Sequence, residues 1–128
     1  MSAPVWVPLR AVLTFHDRQI TRHGGAPGLR DIGLLEAACA RPANRAAYGE
    51  TDLHVLGAAY AFGISKAHAF IDGNKRTAFV TTLTFLRLNG LQMRPDPLEG
   101  VRMMEDLAAG DVEEATFADW LTGQTRPL

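Results

Sequence analysis

The ten residues from His68 to Thr77, His-Ala-Phe-Ile-Asp-Gly-Asn-Lys-Arg-Thr, bring an imidazole, a carboxylate, a glycine and two cations into one short run. His68 has an ordinary pKa that lets it accept a proton near neutrality, which makes it the candidate general base. Asp72 is a hard oxygen donor, and magnesium takes one or two protein carboxylates while keeping phosphate oxygens among its other ligands. Gly73 and Asn74 stand where an apolar, helix-patterned segment begins, so unpaired N–H groups and the positive end of a helix dipole are on offer to an anion. The Asn74 amide adds a donor, and Lys75 and Arg76 add charge for phosphate oxygens. Phe70 is expected to turn the other way and anchor the run in the core. Taken singly, each residue has a plainer role: a dipole partner, a turn, a cap, a solvated pair of cations. A plain turn does not require all of them at one junction, and phosphate chemistry is the reading that uses them together.

The elements that must hold this run read as helices. Val5-Trp6-Val7-Pro8 is an extended lead-in, since Pro8 pushes Val7 out of the helical region. A first helix to about Arg22 carries Leu9, Val12, Leu13, His16 and Ile20 on one stripe and stops at Gly24-Gly25. Gly24 to Arg30 is an ordered loop, and Asp31 caps a short second helix with Leu34, Leu35 and Ala38 inward and Pro42 as its end. Asn44 to Glu50, with Arg45 and Tyr48, reads as a connecting loop or a flap. A third helix, capped by Thr51 or Asp52, runs to about Ala67.

The fourth helix, from about Asn74 to Leu88, is uncharged from Ala78 to Leu86 and is expected to be the one the others surround. Asn89-Gly90 ends it, and Leu91-Gln92-Met93 is a short extended piece. The fifth helix opens at Pro95 and Pro97 and turns Val101, Met104 and Leu107 inward. The last, about Val112 to Leu121, buries Ala115, Phe117 or Ala118, and Leu121. The expectation is an all-α, compact bundle of about six helices in one domain, 1–128, with 122–128 a frayed tail.

With 128 residues, 47% of them apolar and 21% charged, the chain has the composition of one globular domain. A formal charge of −1 offers no general basic field, so nucleic acid is not an expected partner. Cys39 stands alone, which suits a reducing cytosol and leaves no cysteine pair for zinc. No run approaches the roughly 20 apolar residues of a membrane span, and the start lacks a secretory pattern, so a cytoplasmic protein with no membrane partner is expected. Walker-type phosphate loops, dinucleotide fingerprints and His-Glu-x-x-His zinc pairs are all missing.

His68, Phe70, Asp72, Gly73, Asn74, Lys75 and Arg76 resemble the signature of the Fic/Doc family, in the form found in its Doc (death-on-curing) toxins of bacterial toxin-antitoxin pairs. Adenylyl-transferring Fic members carry a second glycine where Lys75 stands. Leu13-Thr-Phe-His-Asp, Gly24-Gly-Ala-Pro-Gly-Leu-Arg-Asp, Leu34-Leu-Glu and Phe85-Leu-Arg-Leu-Asn-Gly are also similar to Doc-type sequences, so the likeness spans nearly the whole chain.

The resemblance implies a signature loop between two central helices and transfer from ATP with Mg²⁺ to a hydroxyl of a target protein. His68 would be the base, Asp72 the metal ligand, and Gly73, Asn74, Lys75 and Arg76 the phosphate cradle. Lys66, two residues before His68, is a further candidate for phosphate, or a solvated helix-end lysine. Arg45 and Tyr48 would belong to a flap that docks the target segment. A kinase acting on a threonine of elongation factor Tu, arresting protein synthesis and restrained by a cognate antitoxin, is the implied activity. An adenylyltransferase on the same fold is the second expectation, and a non-catalytic binding module the third. Lys75, which narrows the nest and adds charge, and Phe79, standing where adenylyl-type members often carry another arginine, favour the kinase.

Overall fold

The computed structural model describes residues 3–128; Met1 and Ser2, part of the expected domain, lie outside the described residues. The described residues form six helices: α1 (Leu9–His23), α2 (Ile32–Ala47), α3 (Leu53–Ala67), α4 (Asn74–Leu88), α5 (Pro97–Ala109) and α6 (Glu114–Gln124). A small antiparallel pair, β1 (Leu91–Met93) and β2 (Thr125–Pro127), closes the end away from the motif. The all-α bundle expected from the sequence is the observed architecture.

The helix the others surround is α3, not α4. It packs against α2, α4, α5 and α6, and buries an almost unbroken run from Leu56 to Ala61 together with Gly63, Ile64 and Ser65. Its small residues make this possible by allowing close approach. A Cβ on Gly57 would touch Leu86 and Leu121, and one on Gly63 would come within 3.1 Å of the Ala38 carbonyl. The uncharged face of α4 still faces inward, through Thr77, Ala78, Thr81, Thr82, Phe85 and Leu86, but α1 and α5 cover it on fewer sides.

Pro42 does not end α2, which continues to Ala47. Proline removes the N–H that would bond the carbonyl four residues back and ordinarily costs about 3 kcal/mol inside a helix. Here that carbonyl belongs to Ala38, and Gly63 of α3 lies against it. Leu35, Ala38 and Pro42 form the buried face of α2, so tertiary packing keeps the helix going where local propensity would stop it. Leu34, expected inside, is 41% exposed.

Two other inward assignments shift in the same way. Val101 is 57% exposed while Gly100 is buried, because Phe79 of α4 fills the space a side chain at 100 would take. Ala115 is exposed, and Phe117, Ala118 and Leu121 carry the inner face of α6.

The tail is not frayed. α6 continues to Gln124, and Thr125–Pro127 pairs with β1 in the register Met93 to Thr125 and Leu91 to Pro127. The Thr125 hydroxyl meets His54 Nε2 at 2.7 Å, and Leu128 N–H donates to the Gly90 carbonyl at 2.9 Å. The expected extended piece Leu91-Gln92-Met93 is thus a real strand whose partner is the C-terminal segment. No described helix is long and apolar enough to cross a membrane.

Candidate active site

The motif lies between α3 and α4, where its residues close a tight turn on themselves. His68 caps α3 in the left-handed region, φ 49° and ψ 41°, and among the described residues no other non-glycine has positive φ. Gly73, at φ 77°, precedes α4 in the same region. The Asn74 side chain bonds both ways to the backbone of Phe70, accepting from its N–H at 3.1 Å and donating to its carbonyl at 3.0 Å. Asn74 therefore holds the turn closed, and this use of its amide differs from the phosphate donor expected of it. Phe70 is buried as expected, its ring stacked on His16.

No side chain caps α4. Asp31, Asp52 and Asp96 cap α2, α3 and α5 through backbone N–H groups, whereas the first turn of α4 takes no side-chain cap, as is also true of α1 and α6. A cleft of about 350 Å³ in front of that turn is lined by Ser65, His68, Asp72, Gly73, Asn74, Lys75 and Arg76, with Ala108 from α5 at its edge. A second cleft, of about 490 Å³, adjoins the first through His68, Ile71 and Asn74 and is lined further by Arg30 and Phe70. His68 is exposed and stands at the junction of the two.

The surroundings of the motif come from α1 and from the segment 24–31. Ile71 N–H donates to the Gly28 carbonyl at 3.1 Å, and the N–H groups of Arg30 and Asp31 both donate to the Ala69 carbonyl. Leu29 and Phe70 form an antiparallel bridge. Segment 24–31 is therefore a strap pinned along the motif. Arg30 adds its guanidinium to the carbonyl of His68, through Nε at 3.0 Å and through Nη2. Arg76 Nη2 donates to the Gly24 carbonyl at 3.1 Å, which commits part of that guanidinium to the strap.

Asp72 accepts the Gly73 N–H on Oδ1 at 2.8 Å and the Ala26 N–H on Oδ2 at 3.3 Å. These two bonds, the first the stronger, hold its carboxyl below the usual 3.8, with the Arg76 and His16 charges adding in the same direction. The side chain is exposed and ionised, and each oxygen keeps lone-pair capacity for a cation. The pH consequence has a definite sign. A depressed folded pKa stabilises the fold above the unfolded value of 3.8, and that stabilisation is lost as pH falls through the folded value. Asp72→Asn should therefore make the acid limb of the melting curve shallower below pH 3.8 while leaving its shape near neutrality unchanged. Thermal melts of both proteins between about pH 2.5 and 6 check this; identical acid limbs would contradict it.

Not all expected residues converge. Lys75 is exposed and lines the phosphate-side cleft with Arg76. Lys66 points elsewhere, with its ammonium 5.8 Å from the Phe62 ring centre and beside Gly110. Arg45 is not in a flap: it is helical in α2 and donates to Glu114 at 2.9 Å, together with Arg41. Tyr48 is 95% exposed just beyond α2. Since α2 begins at the motif and runs away from it for 16 residues, Arg45 and Tyr48 lie on the order of 20 Å off. They line a separate cleft with Asn44 and Glu50. The loop beside the motif is 24–31, which the sequence marked as ordered without tying it to the chemistry.

Among the described residues, no three His, Cys, Asp or Glu side chains group to cage a metal. The donor set fits instead a cation that shares one carboxylate with phosphate oxygens. An uncapped helix start, an ionised Asp72, and Lys75 and Arg76 along the same cleft suit a nucleotide's phosphate chain.

A helical bundle with this turn between α3 and α4 defines a class. Residues 6–86 match the Fic/DOC family, and the chain belongs to it. Over 111 residues it is 40% identical to the protein kinase doc of Escherichia phage P1, covering 86% of this chain and 87% of that one. It is 37% identical over 105 residues to the toxin Doc of Mycolicibacterium smegmatis (strain ATCC 700084 / mc(2)155), covering 78% of this chain and 80% of that one.

Proposed function

We propose that the protein is a Doc-type toxin that uses ATP and Mg²⁺ to phosphorylate a threonine or serine hydroxyl of a translation factor, with elongation factor Tu the expected target, and so arrests protein synthesis. The observation that carries this reading is the uncapped start of α4, with His68, Asp72, Lys75 and Arg76 around one cleft. The names of the two relatives, a protein kinase and a toxin, support it.

When bound, the nucleotide supplies the phosphoryl group and the metal offsets its charge. Asp72 would hold that metal, and Lys75 with the first-turn amides of α4 would bind phosphate oxygens. The acceptor hydroxyl would enter from the cleft on the Arg30 side, so that His68 stands between it and the phosphates and takes its proton. Phe79 favours phosphoryl over adenylyl transfer: it packs on Gly100 and against Trp120, and offers no second guanidinium to the phosphates. A cytoplasmic location and a small antitoxin that restrains the toxin belong to the same proposal.

The deciding experiment incubates the protein with elongation factor Tu and ATP labelled on either the α or the γ phosphorus. Label from the γ position alone is expected. Label from the α position alone would make the protein an adenylyltransferase. Growth arrest that survives His68→Ala with no label transferred would leave only a binding module.

A further inference from the structure

We infer that His16 of α1 is a positioning residue that orients the Asp72 carboxylate at the start of α4 by holding the peptide between Asp72 and Gly73. Its place in catalysis rests on the phosphoryl-transfer reading above, while its hold on the peptide does not.

His16 is 2% exposed, and its Nε2 lies 2.7 Å from the Asp72 carbonyl oxygen. A carbonyl only accepts, so Nε2 carries the hydrogen and donates it. The ring lies flat on Phe70, with centroids 3.8 Å apart and planes 7° off parallel. Its Cδ2 and Nε2 are also 3.6 Å from where a Cβ on Gly73 would stand. The ring therefore supports the turn with its face and fixes it with its edge. Its place on a stripe with Val12 would suit an apolar residue, and a buried imidazole there is explained by the carbonyl it serves.

The consequence follows from the planarity of the peptide. In a trans unit the carbonyl of one residue and the N–H of the next point in opposite directions. With the Asp72 carbonyl turned inward to His16, the Gly73 N–H must turn outward, where it bonds Asp72 Oδ1 at 2.8 Å. One contact from α1 thus sets the peptide whose N–H aims the Asp72 carboxylate. Glycine at 73 gives this peptide little resistance of its own to flipping, because glycine accepts either sign of φ. The imidazole supplies the resistance that the turn lacks.

Two variants separate the donor from the ring. His16→Phe keeps a flat ring on Phe70 and removes the donor; His16→Gln returns an N–H donor without the ring. On the full chain, amide exchange at Gly73 and at Val7 is measured by NMR, with Val7, which donates to the Tyr60 hydroxyl, as the reference for global opening. The affinity for ATP is measured with and without magnesium. His16→Phe is expected to speed Gly73 exchange about tenfold or more relative to Val7 and to remove most of the gain in ATP affinity that magnesium brings. His16→Gln should restore both toward wild type. A general loss of packing would raise exchange at Val7 and Gly73 together. The inference is overturned if His16→Phe leaves the Gly73 to Val7 ratio unchanged, or if a folded His16→Gln fails to restore it. A wild-type chain with no affinity for ATP and magnesium would overturn the nucleotide reading, while the exchange ratio would still decide what His16 does.

Discussion

Replacing His68 with alanine is expected to reduce phosphoryl transfer by about 10²–10⁴-fold, the range for loss of a general base, and to leave the fold standing. The imidazole is exposed at the junction of two clefts and supports no buried contact, so its removal takes away chemistry and little packing. The backbone gives the same position a second, opposite signature. His68 holds φ 49°, a left-handed conformation that costs a non-glycine residue about 1–2 kcal/mol. Alanine keeps that cost. Glycine removes it and loses some of the gain to greater freedom of the unfolded chain. His68→Gly should thus be as inactive as His68→Ala and more stable than wild type by up to about 1 kcal/mol. Urea unfolding of the three proteins alongside the transfer assay checks both parts. Transfer that survives either substitution would remove His68 from the role of base. Equal stability of the alanine and glycine variants would show that the left-handed turn stores no strain.

The second large effect falls on a glycine outside the motif. Gly25 has φ 112°, and a Cβ there would stand 2.6 Å from Asp72 Oδ2 and 3.1 Å from its Cγ. Alanine at this position must move the strap or the carboxylate, breaking the Ala26 N–H bond to Oδ2 on the way. Strained backbone of this kind costs about 1–3 kcal/mol, and the displaced carboxylate should lower magnesium-dependent activity well beyond what the stability loss explains. Gly49→Ala is the matched control. Gly49 also has positive φ, 106°, but a Cβ there meets nothing within 4 Å and it lies away from the motif. Both variants should melt below wild type, and only Gly25→Ala should lose most of its transfer. Comparable activity in the two would mean that Asp72 does not depend on the strap beside it.

The strap and α1 hold in place a motif to which they do not belong. His68 is fixed by Arg30, Asp72 by Ala26 and His16, and Arg76 reaches the Gly24 carbonyl. His68, Asp72 and Arg76, the proposed base, metal ligand and phosphate cation, are thus each tied to the N-terminal third of the chain. A binding event at the cleft would be felt by the strap through the Asp72 oxygen that the Ala26 N–H now occupies.

Much of this protein is written locally. The six helices, the Asp31 and Asp52 caps, the extended Leu91–Met93 and the buried Phe70 follow from side-chain period and turn chemistry, which depend on neighbours within about four residues. The proposed reacting groups are likewise legible as a cluster, because His68, Asp72, Lys75 and Arg76 sit together in one turn whatever surrounds it. Tertiary structure decided the rest. Pro42 stays inside α2 as part of the buried face that packs on α3, and β2 forms because the chain end returns to β1. Arg45 joins Glu114 instead of a flap. His16 is 56 residues from Asp72, Ala26 is 46, and Arg30 is 38 from His68. Hydrogen bonds across such separations leave no periodic trace in a sequence, since each depends on how whole helices approach one another. The sequence set the proposed reacting groups side by side, and the packing of α1 and the strap determined how they are aimed.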